Sequence, residues 1–167
     1  MSRLVNELLS FSKAGLTPQE TKLAPVNLAA TAQRVLESEA AQNSQVQIQI
    51  PDGLSVLAQP ELLFRALANL VRNAVRYAGE AGPITLSALR KDRTVVVTIA
   101  DQGPGVPEAS LQQVFDPFFR AEPSRSRDTG GVGLGLAIVK TCVEACQGTV
   151  SARNRVPHGL EVEIVFQ

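Results

Sequence analysis

Asn69, Asn73 and Arg76 recur at intervals of four and three residues in the segment NLVRNAVRY. On a helix each residue advances by about 100°. These side chains therefore share one narrow face, beside an apolar face made by Leu63, Leu67, Leu70, Val71 and Ala74. Two carboxamides and a guanidinium are costly to bury unpaired, so the polar face is expected to line a wet cavity. An Asn oxygen is a hard, neutral ligand of the kind Mg²⁺ accepts alongside water and phosphate oxygens. Arg76 is suited to pairing with phosphate, and Tyr77 to lying against a base. Taken alone, the pattern also fits an ordinary solvated helix face.

Further segments follow in a fixed order and point the same chemistry toward a nucleotide. Asp101 closes an apolar stretch and is followed by Gly103, Pro104 and Gly105. A carboxylate only accepts hydrogen bonds, which suits the exocyclic amine of adenine in a charge-assisted bond worth about 1.5–3 kcal/mol. The glycines allow the backbone to approach a ring closely; a plain turn between elements is the alternative. Gly130-Gly131-Val132-Gly133-Leu134-Gly135 then runs into the apolar Leu136 to Val139. Backbone amides at such a helix start cradle phosphates. The run lacks the Lys-Ser/Thr ending of a Walker A loop, and no strand directly precedes it as a dinucleotide fingerprint requires. Between the two glycine segments lie Phe115, Phe118, Phe119 and Arg120, then Arg125 and Arg127 in a polar, turn-rich stretch. Bunched aromatics before such a stretch suggest a hinge and a mobile cover whose arginines could neutralise phosphate charge on closing; a hydrophobic anchor under an ordinary loop is the alternative.

Positioning these groups requires a framework, and the periodicity supplies one. Residues 3 to 14 form an amphipathic stripe of Leu4, Val5, Leu8, Leu9 and Phe11, stopped by Gly15 and Pro18. Its apolar face is wide for so short a helix, which reads as the tail of a helical bundle. A polar linker with one short strand follows to residue 26. Asn27 is expected to cap a helix running to about Gln42. Val46, Ile48 and Ile50 alternate with glutamines as in a half-buried strand, and Pro51-Asp52-Gly53 is turn chemistry that would return Leu54 to Ala58 as its partner. Pro60 opens the helix to Ala78. Adjacent strands are expected at Ile84 to Arg90 and Thr94 to Ala100, with a short helix near Glu108 to Val114. A helix from Gly133 to Cys146 and closing strands at Thr149 to Asn154 and Gly159 to Phe166 complete the chain. Grouped strands with helices between them indicate an α+β fold, its helices layered on one face of the sheet.

Composition narrows the classes. A chain of 167 residues with 44% apolar content can bury a core as one domain. Sixteen basic residues balance sixteen acidic ones, so no bulk field draws it to nucleic acid. No apolar run reaches the roughly 18 residues of a membrane span, and the start lacks a signal peptide's pattern, so the chain as given is expected to be soluble. Cys142 and Cys146, four apart on a helix without a nearby histidine, read as small buried side chains rather than a disulfide or metal site.

In this order and spacing the residues resemble the N, first-glycine, F and second-glycine boxes of bacterial sensor histidine kinases, within the wider superfamily of gyrase-, Hsp90- and MutL-type ATPases. RLVNELLSFS together with NLVRNAVRYA looks most like envelope-stress sensor kinases. The resemblance implies a Bergerat-type α/β sandwich, a mixed sheet covered on one face by helices, with a lid over ATP and Mg²⁺. It implies that residues 1–14 end a dimerisation helix, 15–26 form a linker and 27–167 form the catalytic ATP-binding domain. By motif match Asn73 is the Mg²⁺ ligand with Asn69 supporting it, Arg76 faces the phosphates, Tyr77 the adenine ring and Asp101 its amine. Gly103, Gly105 and Phe115 adjoin the base, while Arg125, Arg127, Gly131, Val132, Gly133, Leu134 and Gly135 border the triphosphate.

The family transfers the γ-phosphoryl group to a histidine, which passes it to an aspartate on a response regulator. Hydrolytic relatives carry a water-activating Glu four residues before the metal Asn. Here that position is Asn69, a poor base, which favours transfer over hydrolysis. Val132 replaces a common Thr, and Gln59 stands where an Asp often caps the next helix. The acceptor histidine is expected on a helix before residue 1, since His158, the only histidine, follows Pro157 in a turn. The implied partners are that helix, from the same or the paired subunit, and a response regulator. No nucleic acid is implied, and the implied parent is an inner-membrane homodimer with this domain in the cytoplasm. Two other readings stay open: a nucleotide-binding or dimerisation module without chemistry, and an ATP hydrolase of the same superfamily.

Overall fold

The computed structural model describes residues 5, 9, 12, 21–39, 45–78, 80–121 and 133–167. Of the expected N-terminal helix only Val5, Leu9 and Ser12 fall within this set, each helical and exposed. In chain order the elements are β1 (Ala24–Asn27), α1 (Leu28–Glu39), β2 (Val46–Gln49), β3 (Ser55–Ala58), α2 (Pro60–Ala78), β4 (Ile84–Lys91) and β5 (Thr94–Ala100), then a 3₁₀ turn (Glu108–Ser110), α3 (Gly135–Ala145), β6 (Thr149–Asn154) and β7 (Leu160–Phe166).

The main sheet has the order β2-β4-β5-β7-β6; β2 runs parallel to β4 and the remaining pairs are antiparallel. Strict alternation decides its faces. Ile84, Leu86 and Ala88 of β4, Val95, Val97 and Ile99 of β5, and Leu160, Val162, Ile164 and Phe166 of β7 are buried. They share one core with Leu63, Leu67, Leu70 and Val71 of α2 and with Ile138, Val139, Cys142 and Val143 of α3. Burying each Leu or Ile contributes about 1.5–3 kcal/mol against leaving it exposed. The opposite sheet face carries half-buried and exposed residues such as Thr85, Ser87, Thr98 and Glu163, so helices cover a single face, as the periodicity predicts.

The helix starts follow from local chemistry. Asn27 caps α1, its Oδ1 accepting the amide of Ala30 at 2.8 Å. Gln59 caps α2 although it is not a usual capping residue. Its Oε1 accepts the amide of Leu62 at 2.7 Å, and its own N–H donates to the Sγ of Cys146 at 3.4 Å. The cap missing at the sequence level is therefore supplied by a longer side chain. Cys142 and Cys146 are free and buried, as expected.

The expected hairpin between residues 46–50 and 54–58 does not form. The Pro51 turn is present, with Leu54 N–H bonded to the Pro51 carbonyl at 3.3 Å. It leads β3 away to pair antiparallel with β1, Ala24 opposite Ala58, while β2 joins β4. Alternation reports which face of a strand is buried and says nothing about its neighbour.

Candidate functional site

The polar face of α2 lies where α3 begins. Asn69 is buried, 7% exposed. Its Nδ2 donates to the Arg65 carbonyl one turn back at 2.8 Å, and its Oδ1 accepts Arg72 Nη1 at 3.3 Å. Arg72 in turn forks onto Glu39 at the end of α1, Nε to Oε2 at 2.9 Å and Nη2 to Oε1 at 2.6 Å. Bidentate geometry of this kind fixes both planes, so the carboxamide of Asn69 has one orientation. A Cβ placed on Gly135 would lie 3.7 Å from Asn69 Oδ1, which brings the end of the glycine run against the Asn-bearing helix. Asn73 and Arg76 are half-buried on the same face, and their side chains form no hydrogen bond or ion pair with another described residue. Tyr77 is exposed, at 55%.

Asp101 sits at the C-terminal end of β5 and is 6% exposed. Its Oδ1 accepts the backbone amides of Gly103 at 2.9 Å and Leu160 at 3.0 Å. Its own N–H donates to the Leu160 carbonyl at 3.0 Å, and its carbonyl accepts Arg155 Nη1 at 2.7 Å. The second carboxylate oxygen accepts no bond from a described residue. Gly103 presses on the end of α2: a Cβ there would come 2.7 Å from Ala78 Cβ and 3.2 Å from the Tyr77 carbonyl. That contact, open only to glycine, docks the Asp101 turn onto the helix that carries Asn73 and Arg76. Gly105, at φ +72°, faces Asn154, whose Oδ1 would lie 2.5 Å from an added Cβ.

The Phe-rich turn meets the glycine run. Phe118 adopts φ 65° and donates its N–H to the Gly133 carbonyl at 2.9 Å. A side chain on Gly133 would strike the backbone of Phe118 and Phe119 at 2.8 Å. Phe115 packs against the core, while Phe118 is 60% exposed. Leu134 is fully buried, so its side chain belongs to the core and only its backbone faces the start of α3. Arg125, Arg127, Gly131 and Val132 lie outside the described residues.

Sequence spacing brought Asn69, Asn73, Arg76, Asp101, Gly103 and Gly105 to notice. It missed Glu39, Arg72, Asn154 and Arg155, which act across 33 to 54 residues of separation. The one local signal was Gly159, where a Cβ would fall 2.2 Å from the Asp101 carbonyl.

A family model described as histidine kinase-, DNA gyrase B- and HSP90-like ATPase matches residues 58–167. The chain is 33% identical over 168 residues to the signal transduction histidine-protein kinase BaeS of Escherichia coli, covering 98% of this chain and 36% of that protein. It is 39% identical over 114 residues to the sensor histidine kinase CpxA of the same organism, covering 68% of this chain and 24% of that one. The chain thus spans about a quarter to a third of these relatives. Its fold matches the crystal structure of full-length ShkA in complex with AMPPNP, with a TM-score of 0.79 and 30% identity, over 98% of this chain and 35% of that one. With the docked helix, the acceptor carboxylate and residues 133–135 arranged as above, the chain belongs to the family of histidine kinase-, DNA gyrase B- and HSP90-like ATPases, as an ATP-binding domain of the kind found in sensor histidine kinases.

Proposed function

We propose that this chain is the catalytic domain of a two-component sensor histidine kinase. It binds ATP and presents the γ-phosphoryl group to a histidine on a phosphoacceptor helix of the same or the paired subunit. The bond between the γ-phosphorus and the bridging oxygen breaks as a bond from phosphorus to the imidazole nitrogen forms, and ADP leaves. The phosphoryl group then passes to a response regulator. The parent is a membrane-bound homodimer with this domain in the cytoplasm; among the described residues no helix is long and apolar enough to cross a membrane.

The observation that carries this reading is the Asp101 carboxylate. One oxygen is fixed by two backbone amides and the other is left to accept an amine, on a turn docked to the helix bearing Asn73 and Arg76. An acceptor held in this way recognises a 6-amino purine and opposes a 6-oxo one. Gly103 and Gly105 let the backbone approach the ring, Phe115 supports the turn beneath it, and Tyr77 covers an edge. No cluster of three or more His, Cys, Asp or Glu side chains exists among the described residues. Asn73 would be the neutral protein ligand of a divalent cation that arrives with the nucleotide, with Asn69 behind it. This fits Mg²⁺, which keeps most of its waters. When bound, the ion neutralises charge on the phosphate oxygens. Arg76, Arg125 and Arg127 add positive charge, and the backbone of Gly131, Val132, Gly133, Leu134 and Gly135 borders the triphosphate.

Asn69 supports transfer over hydrolysis. A neutral carboxamide bonded on both sides, to the Arg65 carbonyl and to Arg72, cannot take a proton from water. Calorimetric titration with ADP, with and without Mg²⁺, tests the binding step; saturable binding strengthened by Mg²⁺ is expected. Labelled ATP mixed with the chain and a histidine-bearing helix pair should then label the helix pair. Absence of binding at millimolar ADP, or release of phosphate in place of transfer, would overturn the assignment.

A further inference from the structure

The turn joining β6 to β7 lies far in sequence from the nucleotide motifs, yet it grips the Asp101 turn at both ends. At the start of that turn, Leu160 N–H and Arg155 Nη1 hold Asp101. At its end, Asn154 holds Val106 by two bonds, Oδ1 accepting the Val106 N–H at 3.0 Å and Nδ2 donating to the Val106 carbonyl at 2.7 Å. The carboxamide thereby imitates a neighbouring peptide unit. Its orientation is settled by its partners, because Nδ2 also donates to Glu108 Oε2 at 3.1 Å, where an oxygen would be repelled. The side chain fits only because residue 105 is glycine. Between these grips Gly103 is pressed on Ala78, so the whole span from Asp101 to Val106 is held relative to α2.

We propose that Asn154 is a positioning residue for base selectivity. By clamping Val106 it fixes the Gly103–Gly105 backbone relative to the open oxygen of Asp101, so that this acceptor meets the 6-amino group of adenine and opposes the 6-oxo group of guanine. The proposal rests on the nucleotide reading above and deepens it. Alanine at 154 removes both bonds, so the turn shifts and the short, directional bond from the adenine amine is weakened. Contacts to the phosphates, made from α2 and the glycine run, are untouched. Asn154→Asp keeps an acceptor for the Val106 N–H, loses the donor and faces Glu108 with like charge, so its effect is in the same direction.

The test is calorimetric titration of the wild type, Asn154→Ala and Asn154→Asp with Mg-ADP, Mg-GDP and inorganic tripolyphosphate, each variant checked by thermal melting. The expected result is an ADP affinity lowered about tenfold, an unchanged tripolyphosphate affinity and a compressed ADP-to-GDP ratio. Should Asn154→Ala fail to fold, Asn154→Asp carries the same comparison. A ratio equal to wild type, or equal losses for ADP and tripolyphosphate, would overturn the positioning role while leaving the nucleotide site standing. A wild type that binds no nucleotide would overturn both.

Discussion

The two ends of the candidate site are built on opposite plans. At the base end the chain satisfies itself: Asp101 holds two amides on one oxygen, the β6–β7 turn grips the loop on both sides, and glycines permit backbone contacts as close as sterics allow. At the proposed phosphate end the side chains of Asn73 and Arg76 form no bond with a described residue, and Phe118 takes a positive φ, costly for a bulky side chain, where it meets Gly133. The difference suits the proposed ligand. A base is flat, neutral and read by one or two directional bonds, which reward a preformed frame. A triphosphate with its metal is charged and strongly hydrated, and one of its bonds must break. Groups aimed at it are best left unpaired until it arrives.

The largest expected effect breaks the base end. In Gly159→Ala the new methyl group would land 2.2 Å from the Asp101 carbonyl at φ +113°. The expected loss is on the order of 3 kcal/mol of stability, with ADP binding abolished. Chemical denaturation measures the first and calorimetry the second. A loss under about 0.5 kcal/mol would show that this frame yields easily, and the contrast with the phosphate end would collapse.

Asp101→Asn probes the same end without disturbing its frame. The Asn oxygen still accepts the amides of Gly103 and Leu160, but a donor replaces the open acceptor. A charge-assisted bond of about 1.5–3 kcal/mol is lost, which predicts ADP binding weakened roughly 10- to 100-fold and tripolyphosphate binding unchanged. Asn73→Ala is the mirror experiment. It should leave thermal stability within experimental scatter, because the side chain satisfies no described partner. Affinity should fall only in the presence of Mg²⁺, by about tenfold for one lost ligand group. Equal loss with and without Mg²⁺ would remove Asn73 from the metal site.

How far these plans could be read in advance depends on the range of the interactions. Helix-face arithmetic placed Asn69, Asn73 and Arg76 together because that geometry is fixed within two turns. Alternation likewise marked Val46 and Ile48 as the more buried side of β2, a property fixed within a few residues. The partner of β3 was misjudged because pairing is decided by which strand edges are available, a property of the whole fold. Gln59 was read as a departure from the usual capping Asp, yet a side chain one methylene longer reaches the Leu62 amide. Asn154 and Arg155 carried no signal of their own, and only the nearby Gly159 hinted at a close approach in that turn. A carboxamide or guanidinium near a strand end is commonplace, and its meaning lies in what the fold sets opposite it.

A smaller effect is expected where the Asn-bearing helix meets α1. Glu39→Gln removes the charge that holds the Arg72 fork. With Arg72 36% and Glu39 19% exposed, the pair is screened, and about 0.5–1 kcal/mol of stability is at stake. If Arg72 also orients Asn69, Mg-ADP affinity should fall by a few-fold beyond the change in stability, and Glu39→Asp should restore it only in part. A stability loss without any change in affinity would confine the fork to joining α1 and α2.

The last prediction asks how far the openness of the phosphate end extends. Helix α3 starts beside Asn69 at Gly135; Cys142 within it and Cys146 just past its end are buried. Burial pushes the Cys142 thiol from 9.0 up to about 12 and raises that of Cys146 as well. Below pH 9 the thiols are protonated folded and unfolded, and their contribution to stability is fully present. Between pH 9 and 12 the unfolded thiol ionises while the folded one is held neutral, so stability falls as pH rises through that window. Denaturation curves across it should show this slope in the wild type and a shallower one in Cys142→Ala. At pH 8 an aromatic disulfide reagent should react at least about 100-fold more slowly with the folded chain than with the unfolded one, since access requires opening. Reaction at the unfolded rate would mean that α3 opens as a unit, and the division between a framed base end and an open phosphate end would have to be redrawn through the helix itself.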